Sequence, residues 1–462
     1  MSRAGWKLLW IWSALVAGCS PSSAGPAPGL VHDVGQQVDG WLGDIPDVVL
    51  SDVHRDTAVD TATDLPPDAA PDVPLVPDVP SQDLPPGPDV LPAFDITSTA
   101  VAVPVFPPDT CTDCGWSQMA DMDGPRQNFQ AAWSGEDLYI WGGEWATQCC
   151  QDLLATGARW NLKTNKWTAL PQAPLYATLF SRLVWGGDRL YVYGADANGV
   201  PSTGPTPWSP APAIAAMYFP STNVWKPMPQ SSTSPMHRDG SGAFVWTGSQ
   251  FIVWGGQVEK DAPGGSYDPA TDTWTPLPAA PIPESKGQFY SAAAWTGDRM
   301  FLWSDTLKAG VTWTPATATW TEVAPPPNAP ATFFGWGATA MPGGVFLPQM
   351  IGPVLGWLWW EKNAVWQAVP RPDWFVESNN HVGAIWTGKY MLLWKGDGPV
   401  HGVLYDPVAG TWQTTPTSPE PFDVQGYGFA TSGAEVFVLG GLNGPPGVNI
   451  VHPDCWRFKL PP

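Results

Sequence analysis

Apolar and polar positions alternate in a short unit that recurs through the C-terminal three quarters of the chain. Its clearest copy is WTGSQFIVWGG, from Trp246 to Gly256. An apolar run ends in Trp, a Thr-Gly turn follows, and a second apolar run ends in Gly-Gly. That pattern predicts two short antiparallel strands joined by a tight turn. Further copies start at 133 (WSGEDLYIWGG), 185 (WGGDRLYVYGA), 295 (WTGDRMFLWSD) and 386 (WTGKYMLLWKG). Two weaker ones start at 341 (MPGGVFLPQM) and 431 (TSGAEVFVLGG).

A second pattern follows each hairpin: an aromatic residue, then Trp seven positions on. The pairs are Trp160 and Trp167, Tyr218 and Trp225, Tyr267 and Trp274, Trp313 and Trp320, Trp359 and Trp366, Tyr405 and Trp412. Polar or Pro-containing turns separate them, which predicts a second hairpin. Each unit is therefore four strands, named a to d in chain order. From Trp116 onward the recurring Trp is spaced by 51, 58, 49, 46, 46, 46 and 44 residues. Such a unit cannot cover its own apolar faces, and radial stacking covers both. Over residues 116–462 the pattern resembles kelch repeats, the repeats of the galactose oxidase central domain. The resemblance implies an all-β propeller, with seven four-stranded blades or six if the fifth unit fails. That unit lacks Gly-Gly after strand b, and its Pro348 must sit at a strand end or edge. At the seam two segments compete for one outer position, CGWSQM around Trp116 and CWRFKL around Trp456. Either one pairs beyond the other or Trp456 takes a different strand position.

Trp makes up 30 of 462 residues, an excess that the repeats absorb, so it marks packing positions. The formal net charge is −21. With no basic stripe, that balance argues against nucleic acid and anionic headgroups as partners. About −14 of it lies in residues 20–110, which hold fifteen Asp, no Glu and one basic residue, Arg55. This Pro-rich stretch is expected to stay an extended linker (19–110), because it has too little apolar surface to offset its ordering entropy. Asp52, Asp56, Asp60, Asp64, Asp68 and Asp72 would repel one another on a helix, and no Gly-centred calcium loop accompanies them.

Residues 1–18 read as a signal peptide: Arg3 and Lys7, then an apolar Leu8–Val16. Val16-Ala17-Gly18-Cys19 resembles the lipobox of bacterial lipoproteins. That implies lipidation of Cys19, and Ser20 implies sorting to the outer membrane, with the body facing the periplasm or cell surface. Export also permits disulfides. Cys111 and Cys114 enter a d-type strand and Cys455 reads as entering one too, so all three are expected on the face carrying the a–b and c–d turns, next to the closing seam. A bridge from Cys455 to Cys111 or Cys114 is then expected to staple the ring. Zinc at Cys111-X-X-Cys114 and a vicinal Cys149–Cys150 bridge are the competing uses.

The chain has no His-X-X-X-His, no Gly-X-Ser-X-Gly elbow and no phosphate-cradling loop. The copper ligands of galactose oxidase do not map onto matching positions, and sialidase boxes are absent. No cofactor, metal or catalytic residue is assigned. The kelch resemblance implies that the d–a and b–c loops share one face. Its candidate binding residues are Arg126, Asn128, His237, Arg238, Asp239, Tyr290, Asn379, Asn380, His381, Lys395 and His401. The expectation is a monomeric binding or scaffold module for a protein or carbohydrate. The alternative is an envelope enzyme acting on a carbohydrate or cell-wall component, with His237, Asp239 and His381 as acid–base groups.

Overall fold

A computed structural model describes residues 115–460, apart from 146–152, 176, 178–180, 195–213, 232, 236–241, 256–263, 283–290, 305–306, 328–336, 350–352, 373–374, 376–382, 396–400, 416–425 and 444–449. The described chain forms seven four-stranded antiparallel sheets. Blade one is Gln130–Trp133, Asp137–Trp141, Gly157–Asn161 and Lys166–Ala169; blade two is Arg182–Trp185, Leu190–Tyr193, Ala215–Phe219 and Val224–Pro227. Blade three is Ala243–Trp246, Phe251–Trp254, Gly265–Asp268 and Thr273–Pro276; blade four is Ser291–Trp295, Met300–Ser304, Ala309–Thr314 and Thr319–Val323. Blade five is Thr339–Met341, Gly344–Pro348, Val354–Trp360 and Val365–Pro370; blade six is Gly383–Trp386, Met391–Trp394, Gly402–Asp406 and Thr411–Thr414. Each strand a touches the strand a of the blades on both sides, and the seventh touches the first, so the ring is closed. Seven blades it is, with the fifth included.

Every strand b is buried almost end to end, while the strands d of blades one, two and three are mostly exposed and those of blades five and six are mostly half-buried. The cause is stacking: an inner strand has sheet on both faces. Seven apolar clusters fill the seven gaps, one between each pair of neighbouring blades. The Trp-Ser/Thr-Gly motif builds the a–b turn. The Ser or Thr hydroxyl accepts the amide three residues on, as in Ser134 from Asp137, Thr247 from Gln250, Thr387 from Tyr390 and Ser432 from Glu435. The Gly that follows takes a φ between 87° and 100° at Gly135, Gly248, Gly388 and Gly433, a region closed to most side chains.

The aromatic–Trp pairs sit directly opposite one another across strands c and d, for example Trp160 with Trp167 and Tyr405 with Trp412. Two residues before the Trp, the turn enters the left-handed region, at Asn165, Asn223, Asp272, Ala318, Ala364 and Gly410. In blades one and two the side chain there also accepts from the strand c aromatic: Trp160 Nε1 donates to Asn165 Oδ1 (3.0 Å) and Tyr218 to Asn223 Oδ1 (2.8 Å). Tyr267 does the same with Asp272. In blade six Gly410 offers no side chain, and the buried Tyr405 hydroxyl has no hydrogen-bond partner.

The strand d Trp also joins neighbouring blades. Its Nε1 donates to the carbonyl four residues past the equivalent Trp of the preceding blade: Trp167 to Ala120, Trp225 to Pro171, Trp320 to Pro278 and Trp366 to Ala324, at 2.6–2.9 Å. Its ring packs on the Trp ending strand b of that blade. Trp141 meets Trp225 at 5.0 Å, Trp254 meets Trp320 at 5.7 Å and Trp303 meets Trp366 at 5.7 Å.

The seventh blade resolves the competition at the seam. Its order is Gly428–Thr431, Glu435–Leu439, Cys455–Lys459 and Gly115–Gln118. Trp456 therefore lies in strand c, and the segment around Trp116 supplies strand d. Phe458 stands opposite Trp116 in the place of the usual aromatic partner. Blade five compensates for its weak hairpin with the longest strand c, seven residues. Pro348 is the last residue of its strand b, where a missing amide interrupts no inner ladder.

Candidate functional site

The two ends of the wheel differ in how much chain they carry. The a–b and c–d connections are two to four residues each. The b–c connections reach 21 residues, between Tyr193 and Ala215, and the d–a connections run from 11 to 15. The longer connections all open on one end, because strands b and d both run toward it. This loop face is the candidate site.

Four of the eleven expected binding residues, Arg126, Asn128, Lys395 and His401, lie among the described ones. Arg126 is 8 % exposed and turned into the body. Its Nη1 donates to the Gly142 and Thr156 carbonyls (2.9 and 3.1 Å), and Nη2 to Thr156 Oγ1 (2.8 Å). Burial lowers its pKa to about 10, opposed by the charge of Asp123. Its backbone is tied as well, accepting from Gly441 and donating to His452. Arg126 thus clasps the b–c end of blade one to the b–c loop of blade seven.

Asn128 stands beside it with φ 57°. Its amide donates to the Gly426 carbonyl, and its Nδ2 donates to Glu144 Oε1 at 2.8 Å. Glu144, only 1 % exposed, pairs by backbone with Gln127 and bridges onward to Leu153. Gly143 makes this approach possible: a Cβ there would lie 2.5 Å from the Gln127 carbonyl oxygen.

Lys395 is 2 % exposed, with Nζ 4.9 Å from the centre of the Phe375 ring. Its amide donates to the His401 carbonyl, and the His401 ring meets Trp394 edge-on at 5.9 Å. Tyr427 joins blades six and seven, accepting from the Gly383 amide and donating to the Trp394 carbonyl. The buried polar side chains here are thus engaged in holding loops to strand ends. His237, Arg238, Asp239, Tyr290, Asn379, Asn380 and His381 lie outside the described residues. So do Cys19, Cys111, Cys114, Cys149 and Cys150.

Cys455 requires a correction of place. It begins strand c, beside Leu439 at the end of strand b, and so lies at the loop end and not at the turn end. Its thiol is free and buried, with Sγ 3.4 Å from the Pro453 carbonyl oxygen. Burial pushes the thiol pKa well above the usual range. The expected bridge to Cys111 or Cys114 involves residues outside the described ones; the described chain that follows them begins at Gly115, which pairs with Lys459 at the other end of strand c from Cys455.

Sequence reasoning missed Glu144, and also Gln349, whose Oε1 accepts from Trp357 Nε1 at 3.0 Å. Gln349 follows directly on strand b of blade five, and Glu144 lies three residues past strand b of blade one, just after its Gly-Gly. Among the described residues no three His, Cys, Asp or Glu side chains converge as a metal site would need. No protein-family model matches the chain, and no curated protein matches it.

Proposed function

We propose that this propeller is a kelch-like binding or scaffold module, using its loop face to hold a protein or glycan of the bacterial envelope or cell exterior. A lipid on Cys19 anchors it at the outer membrane, and residues 19–110 serve as the spacer. The observation that supports the reading is the allocation of chain. One end of the wheel is closed by two- to four-residue turns, and the other carries all the long connections. Loops of that length on a rigid scaffold are where recognition residues are placed at least cost to the fold. The buried clasps of Arg126, Asn128–Glu144 and Tyr427 hold the loop bases and leave the tips to make contacts.

The test uses the full chain as bait against detergent-solubilised envelope from its own cell. A captured protein or glycan is expected to bind at least about tenfold more weakly to an Arg238→Glu, His381→Ala variant. Lys389→Glu, on the turn end, should leave binding unchanged. Capture that survives the first variant and is lost with the second would assign binding to the other end. Cys19→Ser is expected to abolish fatty-acid labelling of the protein; labelling that persists would overturn the anchor.

A further inference from the structure

The turn end carries a shallow pocket of about 560 Å³ across the seam, between blades seven and one. Its lining includes Trp133, Leu162, Lys163, Glu435, Arg457 and Lys459. Leu162 is among the few large apolar side chains left exposed, at 37 %. Arg457 is held by Glu435 (3.5 Å) and donates to Ser117 Oγ (3.1 Å). Lys163 and Lys459 have no ion-pair partner among the described residues. The pocket is thus an aromatic and aliphatic floor with a net positive rim: Glu435, directly opposite Lys459 across the strands, is bonded to Arg457, and Lys163 and Lys459 add two further cations.

The chain joins the wheel beside this pocket. Gly115, the first residue of the closing strand, is the direct strand partner of Lys459. The residues immediately before it, Phe106-Pro107-Pro108-Asp109-Thr110-Cys111-Thr112-Asp113-Cys114, are Pro-bearing and acidic. From 84 to 114 the chain has four Asp and no Lys, Arg, Glu or His. We propose that the pocket is a docking site for this stretch, with Phe106–Pro108 against Trp133 and Leu162 and with Asp109 and Asp113 facing Lys459 and Lys163. Pro-Pro segments suit an aromatic-lined groove because their extended form is preset and loses little entropy on docking. Covalent attachment a few residues away gives an effective concentration on the order of millimolar, so even a weak local site is filled. Exposed charge pairs of this kind are screened by salt, which makes the docking ionic-strength dependent. Occupancy would fix the direction in which the linker leaves the wheel, and it would cover the outer edge of the seam.

The experiment is limited proteolysis of the full chain with a protease that cuts before Asp. Cleavage at Asp109 is compared with cleavage at Asp60 in the same molecule. In about 20 mM salt Asp109 is expected to be cut at least tenfold more slowly than Asp60. Lys163→Glu with Lys459→Glu, or about 0.5 M salt on the unaltered chain, should bring the two rates together. Both lysines are exposed, and the salt arm stands even if the double variant does not fold. Equal rates in the unaltered chain at low salt would overturn the proposal, as would protection that neither change removes. Protection that rises with protein concentration would also overturn it, assigning the pocket to a second copy.

Discussion

Blades one to six are each built from one stretch of chain, and blade seven is built from two. Its three inner strands come from the C-terminal part and its outer strand from residues 115–118. Ser117 and Arg457, bonded across that junction, are 340 positions apart. Yet Trp116 does what its counterparts do. It packs on Trp394 of blade six at 5.1 Å, as Trp225, Trp320 and Trp366 pack on the preceding strand b Trp. The carbonyl of Ala120, four residues on, accepts from Trp167 of blade one. A blade is thus defined by the surfaces it must cover, and chain continuity is secondary. Joining such distant segments is tolerable because loop-closure entropy grows only with the logarithm of length.

The comparison is most exposed at Trp116. Trp116 is partly buried, so Trp116→Ala should cost about 3 kcal/mol in urea unfolding, the low end of the range for removing a Trp. Trp412→Ala in blade six should cost the same within about 1 kcal/mol. A much smaller loss at Trp116 would mean that the composite blade is only loosely closed. Cys455 supplies a second readout, since its buried thiol stays protonated and reacts only when the seam opens. Maleimide labelling at pH 8 should be faster in Trp116→Ala than in the unaltered protein, by about a hundredfold or more.

Arg126→Met tests the clasp behind the seam. It leaves the Gly142 and Thr156 carbonyls without their charged donor and should cost about 2–3 kcal/mol in the same unfolding experiment. A neutral outcome would place ring closure in the strands alone. Trp320→Phe keeps the ring packing between blades three and four and removes the bond to the Pro278 carbonyl. The expected loss is about 1 kcal/mol. The smallest effect is a gain. Gly410→Asn places an acceptor where blades one and two have one, within reach of the orphaned Tyr405 hydroxyl. It should stabilise by up to about 1 kcal/mol, and Tyr405→Phe should remove most of that gain.

Much of this fold was legible because its signals are local. The Trp-Thr-Gly turn specifies its own hairpin, since hydroxyl and positive-φ Gly lie within four residues. The seven-residue aromatic–Trp spacing specifies the c–d register, because a four-residue turn puts the two rings opposite one another. The candidate site was legible only as a face. Arg126, Asn128 and Lys395 read as mouth residues from their distance to a strand, but position along the chain does not say which way a side chain turns. Arg126 turns inward because its guanidinium reaches the Gly142 carbonyl at the b–c end of blade one and the second lone pair of the Thr156 carbonyl, which already accepts from the Gly142 amide.

The sequence alone determined the strands, their hairpins, the aromatic ladder and the need for radial stacking, since each follows from residues a few positions apart. Only the tertiary structure decided that Trp456 lies in strand c and Trp116 in strand d, and that Cys455 sits at the loop end. Both segments carry the same local pattern, and the choice between them rests on which one pairs with Glu435–Leu439, a contact made only when the ring closes.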